Sequence, residues 1–175
     1  MREQKLKEYL ENSLTVEEFM MDLENSQHKS GYDTTSFHIE QIEEGEFEIT
    51  KSHLIKICDD FLQGKLHPMD VNTIAFAFMF SDYFTWNGES QDGKIISEII
   101  YDWDNPEIGF DLTKENISDI VNNKLKNNQA KVSTRLVDLF DEYFTFKNTQ
   151  IASSTKKKLK VFQKRIEKLR VYHFD

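Results

Sequence analysis

The chain has 175 residues, a formal net charge of -9 at pH 7, and a hydrophobic fraction of 38 % that includes 14 Phe and 6 Tyr. This length suits one domain with a hydrophobic core, and so many aromatic residues exclude a disordered polar chain. The single cysteine excludes an intramolecular disulfide, and no run approaches the roughly 18 apolar residues of a membrane span. We therefore expect a cytoplasmic protein.

Charge is unevenly distributed along the chain. Residues 1–150 contain 14 Lys and Arg against 29 Asp and Glu, whereas residues 151–175 contain 8 against 2. The pattern predicts an acidic helical domain over 1–150 and a basic C-terminal helix over 151–175 that docks on the same domain. An acidic body repels nucleic acid and attracts basic protein surfaces, over a range that salt shortens.

The first fifty residues predict two short helices and a β-hairpin. Apolar residues recur at helical spacing over 2–12 and 16–25, and Thr15 with Glu18 matches a capping box. Residues 26–36 have turn-forming composition and no periodicity, which predicts a loop. Over 37–49, apolar residues partly alternate on both sides of Gly45, which predicts a small hairpin. The acidic side chains of this piece are interpreted as a solvated face rather than a metal site.

Residues 50–63 predict a third helix, which Thr50 begins and Gly64 ends. Its apolar face includes Leu54, Cys58 and Phe61. A cysteine on such a face behaves as a small hydrophobic residue, and no neighbour supplies the charge that favours a thiolate. We therefore interpret Cys58 as a buried structural thiol rather than a nucleophile.

The stretch His67–Gly88 predicts the central, buried helix of the fold. Over 71–80, apolar residues also occupy the sides that a surface helix leaves polar. Pro68 suits a first helical turn, and Asp70 complements the positive end of the helix dipole. Asn87-Gly88 predicts a turn after the last aromatic residue.

Four further helices are predicted towards the C-terminus. Apolar faces begin at Ile95 in one helix and at Ile117, after the cap Thr113, in the next. A broad apolar face follows over 132–146. The basic segment 155–172 carries a narrow apolar seam formed by Leu159, Phe162, Ile166 and Leu169. This seam suits docking on the acidic body, and the basic residues around it also suit nucleic acid or a membrane surface.

The sequence contains no motif for catalysis or metal binding. The five histidines are scattered, no two share the i, i+4 spacing of a helical metal site, and HExxH is absent. There is also no nucleophile elbow and no glycine-rich phosphate loop. We expect no enzymatic activity, no cofactor and no metal.

Aromatic and acidic residues alternate after the central helix and at the end of the next one. Aromatic side chains offer large, rigid contact area and carboxylates add negative potential, a combination that suits a basic protein partner. The simpler interpretation is that the aromatics belong to the core and the acids to its rim. The candidate partner-binding residues are Asp82, Tyr83, Trp86, Glu89, Asp92, Asp102, Asp104 and Glu107.

The segment HLIKICDDFLQGKLHPMDVNTIAFAFMFSDYFTW has an order of features that resembles helical bacterial immunity proteins of the colicin-like and polymorphic-toxin kind. These features are an apolar helix, an end similar to DFL-x-G-x-L, and a second helix with an exit similar to F-S-D-x-F. The resemblance covers roughly residues 50–125. It implies a small cytoplasmic inhibitor, without catalysis, that neutralises a toxin domain, frequently a nuclease. It also implies that Asp82, Tyr83 and Trp86 belong to the partner surface.

The sequence thus predicts an all-α, single-domain bundle of seven to eight helices with one small hairpin near 37–49. The predicted function is binding and neutralisation of a toxin domain that has a basic surface, by a monomer or weak homodimer. The alternative is a nucleic-acid-associated regulatory or phage-defence protein that uses the basic C-terminal helix for contact.

Overall fold

A computed structural model describes residues 1–29, 35–106 and 110–126, which form a mostly helical structure. The helices are α1 (Glu3–Leu10), α2 (Val16–Leu23), α3 (Lys51–Leu62), α4 (Pro68–Phe80), α5 (Gln91–Asp104) and α6 (Lys114–Asp119). A π-helical segment, Ile120–Leu125, directly follows α6. The strands are β1 (Gln27–Lys29), β2 (Thr35–Phe37), β3 (Phe47–Glu48) and β4 (Phe84–Thr85).

Helices dominate this structure, as the sequence predicted, but the all-α prediction missed two small two-stranded sheets. The described residues contain six helices, fewer than the predicted seven to eight. The two other predicted helices, over 132–146 and 151–175, lie outside the described residues. So does the predicted domain boundary at residue 150.

The predicted hairpin over 37–49 is wrong in its pairing. Strand β2 runs antiparallel to β1, and β3 runs parallel to β4. The prediction of a loop over 26–36 is therefore also wrong, because β1 and part of β2 lie there. Strands of two or three residues are too short to show the alternation by which strands are predicted. Their stability comes from the helices on which they pack.

Helix α4 lies at the centre of the fold, as predicted. It packs mainly against α5 and also contacts α2 and α3. Its buried side includes the polar residue Asn72, whose Nδ2 donates to the carbonyl oxygens of Trp103 at 2.9 Å and Asp104 at 3.2 Å. These bonds satisfy carbonyl groups at the C-terminal end of α5, where no further helical turn supplies donors. They fix the register between the two central helices.

The predicted helix ends are confirmed where the structure describes them. The hydroxyl of Thr15 accepts from the backbone N–H of Glu18, whose carboxylate accepts from the N–H of Thr15 in return. At α4, a carboxylate oxygen of Asp70 accepts from the N–H of His67 at 2.7 Å. Gly64 follows α3 with a φ of +78°, a backbone conformation that favours glycine.

The predicted apolar faces are also buried. Ile95, Ile99 and Trp103 of α5 are fully enclosed, and Ile117 of α6 packs in the same core. Cys58 is buried as well, and burial raises the pKa of its thiol well above the ordinary value. A thiol held in its neutral form in this way is inert, which agrees with its interpretation as structural.

The segment that precedes β3 is attached to α1. The backbone N–H of Glu3 donates to the carbonyl of Glu40 at 2.9 Å, and the buried carboxylate of Glu3 accepts from the N–H of Ile42 at 2.8 Å. At the other end, the N–H of Ile49 donates to the carbonyl of Thr85 at 2.7 Å. The acidic residues between Ile42 and Ile49 therefore lie in a segment that includes β3 and is fixed at both ends; we call it the acidic loop.

Candidate functional site

The acidic loop lies beside the exit of α4 because β3 pairs with β4. In this parallel pair Phe47 lies opposite Phe84, and the N–H of Phe47 donates to the carbonyl of Tyr83 at 2.8 Å. Gly45 packs directly on Tyr83, since a Cβ atom added to it would lie 3.2 Å from Cε2 of the Tyr83 ring. The pairing brings two acidic regions together that are separate in the sequence.

Buried aromatic rings pack around the paired strands β3 and β4. The ring of Phe84 meets the rings of Phe47 and Phe78 edge to face, with centroids 6.0 Å and 5.2 Å apart. Ser81 ends α4, and its Oγ accepts from the N–H of Tyr83 at 3.0 Å. Aromatic pairs of this geometry add to the stability gained by burial alone. The segment after α4 is therefore a rigid support.

Trp86 is held in one orientation at the edge of this support. Its Nε1 donates to Oγ of Ser97 on α5 at 2.5 Å, while the half-buried ring lines a groove of about 460 Å³. Glu48 and Asp92 line the same groove. The indole thus has its polar atom bonded to the protein and part of its apolar surface open to a partner.

Exposed carboxylates lie beside the tryptophan and in the chain segments next to it. Glu46 and Glu48 line a shallow pocket together with Trp86. We define the acidic-aromatic face as Trp86 together with Glu43, Glu44, Glu46, Glu48, Asp82 and Glu89, whose acidic members are all exposed. Among the described residues, none of the four glutamates from the loop takes part in an ion pair. Their charges therefore add to a negative potential over this surface.

Two lysines border the face. Lys51 Nζ pairs with the carboxylate of Asp92 at 2.7 Å, so the predicted site residue Asp92 is already engaged within the chain. Lys7 Nζ lies 6.0 Å from the centroid of the Tyr83 ring, and its interaction with the Tyr83 side chain raises the pKa of the lysine. The exposed acidic residues outnumber these cations, and the face is negative.

The structure separates the eight candidate residues into different environments. Asp82 and Glu89 are exposed on the acidic-aromatic face, where Trp86 is half-buried. Tyr83 is only 7 % exposed, so its ring supports the face and contributes little contact area. Glu107 lies outside the described residues.

The remaining two candidates lie at the far end of α5. Asp104 follows Asp92 by twelve residues, which is about 18 Å along a helix that rises 1.5 Å per residue. Asp102 is 3 % exposed, and its carboxylate lies 3.3 Å from Nζ of Lys124, which also pairs with Glu98 at 2.8 Å. This internal cluster joins the π-helical segment to α5. Asp104, two residues after Asp102, is half-buried.

The sequence did not identify the glutamates of the loop as part of the site. Their charge was visible, but nothing in the sequence showed that β3 pairs with β4 and places them beside Trp86. The partial alternation over Phe47 and Ile49 is the available signal, and it predicts a hairpin within 37–49 rather than the observed pairing with β4.

Within the described residues, no group of three or more His, Cys, Asp or Glu side chains has the arrangement of a metal site. None of the helices in that part of the chain combines the length and the apolar character that crossing a bilayer requires. Comparisons with family models, with curated proteins and with solved structures found no match to this chain.

Proposed function

We propose that this chain is a non-catalytic cytoplasmic binding protein that neutralises a bacterial toxin domain with a basic surface, in the manner of the immunity proteins it resembles. The acidic-aromatic face is the observation that carries this proposal. It combines exposed carboxylates from two separate segments with a fixed tryptophan. We infer that a nuclease is the preferred class of toxin, because a nuclease holds phosphate in a cationic cleft.

Electrostatic attraction supports this proposal on physical grounds. The exposed carboxylates of the acidic loop and of the segment after α4 attract a basic partner over roughly 10 Å at 0.1 M salt, and such fields raise association rates more than they raise affinity. The same potential disfavours the phosphate backbone of nucleic acid. The face therefore favours a cationic protein as its partner. It disfavours nucleic acid, which a nuclease partner would itself bind.

Trp86 supplies the apolar part of the proposed contact. Tryptophan is among the residues that most often dominate binding energy, particularly when charged or polar residues around it exclude water. The bond from Nε1 to Ser97 fixes the ring before binding, so little side-chain entropy is lost when a partner packs against it. The packed rings of Phe47, Phe78 and Phe84 also hold the segment after α4 rigid before binding.

The test is co-expression with the toxin domains encoded beside the gene, together with recovery of bound protein from the source cell. We expect the wild-type chain to protect cells from one of these domains and to co-purify with it. The double variant Glu46→Lys/Glu48→Lys should lose protection, whereas the control Glu17→Lys/Glu115→Lys, which makes the same charge change at exposed sites on α2 and α6, should retain it. Failure to recover any protein partner by both routes would refute the proposal.

A second candidate function rests on the charge of residues 151–175, which contain 8 Lys and Arg against 2 Asp and Glu. Such a segment suits a nucleic-acid-associated regulatory or defence protein. Binding of the full chain to DNA and RNA, measured at two salt concentrations with and without residues 155–175, tests it. A steep salt dependence that disappears with the segment would support this function, and no binding by the full chain would exclude it.

A further inference from the structure

The Asn87-Gly88 pair directly follows Trp86, in the turn that connects β4 to α5. Asn87 is exposed and lines two pockets that also include Trp86. Its carbonyl oxygen accepts from the backbone N–H of Ser90 at 3.1 Å, which closes the turn. The backbone nitrogen that follows an asparagine can attack the side-chain amide of that asparagine. Glycine, which lacks a side chain, leaves this nitrogen unhindered.

The backbone nitrogen of Gly88 is not held by the fold. Its N–H donates no hydrogen bond to any described residue. The nitrogen can therefore lose its proton to solvent without first breaking a bond within the chain. Asn87 supplies the amide and is open to the water that the reaction consumes.

The other comparable pairs of the described chain are protected. Asparagine or aspartate precedes serine or glycine also at Asn12, Asn25 and Asp92. At each of these sites the next backbone N–H is bonded: Ser13 donates to the carbonyl of Glu8 at 2.9 Å, Ser26 to the carbonyl of Leu23 at 3.0 Å, and Gly93 to Oγ of Ser90 at 2.9 Å. These three sites serve as internal controls for Asn87.

Hydrogen bonds within the turn assist the nitrogen that attacks. The carbonyl oxygen of Asn87 belongs to the same peptide group as the Gly88 nitrogen. It accepts from Oγ of Ser90 at 2.7 Å as well as from the N–H of that residue. When the nitrogen loses its proton, negative charge spreads to this oxygen, and hydrogen bonds to a charged acceptor are the stronger ones. The turn therefore favours the reactive form of the nitrogen.

A further hydrogen bond assists the amide that is attacked. Oδ1 of Asn87 accepts from the N–H of Glu89 at 3.1 Å. This donor polarises the side-chain carbonyl and stabilises the negative charge that develops on Oδ1 as the new bond forms. The bond also closes a ring that contains the Gly88 nitrogen, so it holds the amide carbon near that nitrogen.

We propose that Asn87 is a site of spontaneous deamidation in the folded protein. The Gly88 nitrogen loses its proton to solvent and forms a bond to Cγ of Asn87, while the bond from Cγ to the side-chain nitrogen breaks. That nitrogen takes up a proton and leaves as ammonia. Water then opens the resulting succinimide ring at either of its carbonyl carbons, which gives aspartate or isoaspartate. The net reaction consumes one water molecule and releases one ammonia molecule.

The modification changes the acidic-aromatic face. Each conversion replaces a neutral amide by a carboxylate in the two pockets that include Trp86, so the face becomes more negative. Isoaspartate also lengthens the backbone of the turn that precedes α5. The covalent change takes place in the isolated chain, so this inference does not depend on the proposed toxin partner.

Incubation of the full chain at mildly alkaline pH tests the proposal, with peptide mapping by mass spectrometry as the readout. The same chain unfolded in guanidinium chloride is the reference, and the ratio of folded to unfolded rate at each site removes the effect of local sequence. We expect Asn87 to react at least as fast in the folded chain. We expect Asn12 and Asn25 to react about tenfold more slowly when folded, because local opening must first free the next N–H. At Asp92 only the unfolded chain should form isoaspartate. A folded rate at Asn87 that is reduced as much as that at Asn25 would overturn the proposal.

The hydroxyl of Ser90 offers a matched pair of variants. Ser90→Thr keeps a hydroxyl at this position, whereas Ser90→Ala removes it. We expect Asn87 to convert several-fold more slowly in folded Ser90→Ala than in folded Ser90→Thr, and at equal rates in the two unfolded chains. Protection of Asn25 in the same samples verifies that both variants are folded. Equal folded rates at Asn87 would contradict activation by the turn, as would faster conversion in Ser90→Ala.

Discussion

Substitution of Tyr9 by Phe tests how the N-terminal helix is held to the body. The Tyr9 hydroxyl donates to Oδ2 of Asp60 at 2.7 Å, and both residues are buried. The ring of Tyr9 stacks on Phe19 with centroids 4.7 Å apart, and a phenylalanine ring can keep that contact. The variant therefore removes the hydrogen bond and little else. Because its acceptor is a carboxylate, the expected loss in the free energy of unfolding is about 1.5–3 kcal/mol.

A lysine near this carboxylate contributes less than the lost hydrogen bond. Lys65 Nζ lies 3.4 Å from Oδ1 of Asp60, and its side chain is 41 % exposed, so Lys65→Met should cost at most about 1 kcal/mol. Thermal unfolding followed by circular dichroism should show a midpoint about 3–12 °C lower for Tyr9→Phe, as expected for this free energy in a chain of this size. The double variant Tyr9→Phe/Asp60→Asn should lose less than the sum of the single variants. A Tyr9→Phe variant as stable as the wild type would refute this account of how α1 is attached.

Three other predictions concern the ends and turns of the helices. Lys124→Met should lower the free energy of unfolding in urea by about 3–5 kcal/mol, because it removes a largely buried cation that pairs with the half-buried Glu98 and the buried Asp102. A loss below about 1 kcal/mol would contradict the internal cluster. Gly93→Ala should destabilise the chain far more than Gly64→Ala. The added Cβ at position 93 would lie 1.8 Å from a backbone carbonyl oxygen, whereas at Gly64 only the positive φ is unfavourable. Equal decreases in the thermal unfolding midpoint for the two variants would refute the turn geometry. Burial lowers the pKa of His53 below 6.5, so as the pH falls the imidazole is protonated first in the unfolded state, and the free energy of unfolding decreases below about pH 6.5. His53→Gln should weaken this decrease. An unchanged dependence of stability on pH in the variant would contradict this role of His53.

Periodic features of the fold could be predicted from the sequence. The apolar face of α5 and the enclosed α4 follow from the spacing of their hydrophobic residues, and the caps at Thr15 and Thr113 follow from side chains that bond to their own first turns. These signals lie within a few residues of one another. Helix contacts are local, so the sequence reveals them before the tertiary arrangement is known.

Contacts between distant segments could not be predicted in this way. Strand β3 has two residues, and its partner β4 follows two intervening helices, so no local pattern indicates the pairing. The position of the acidic loop beside Trp86 depends on that pairing. The burial of Asp102 likewise depends on Lys124, which reaches it from a different element. A carboxylate at the end of an amphipathic helix looks solvated in sequence, and only the packing shows that it is internal.

The central claim is that the acidic-aromatic face attracts a basic protein. The most direct measurement is the association rate of the wild-type chain with the toxin domain recovered in the co-expression test, at low and high salt, compared with Glu46→Lys/Glu48→Lys and Glu17→Lys/Glu115→Lys. The account predicts a rate that falls steeply with salt in the wild type and in the Glu17→Lys/Glu115→Lys control, and a slow, weakly salt-dependent rate in the face variant. Equal rates and equal salt dependence for the two double variants would contradict it.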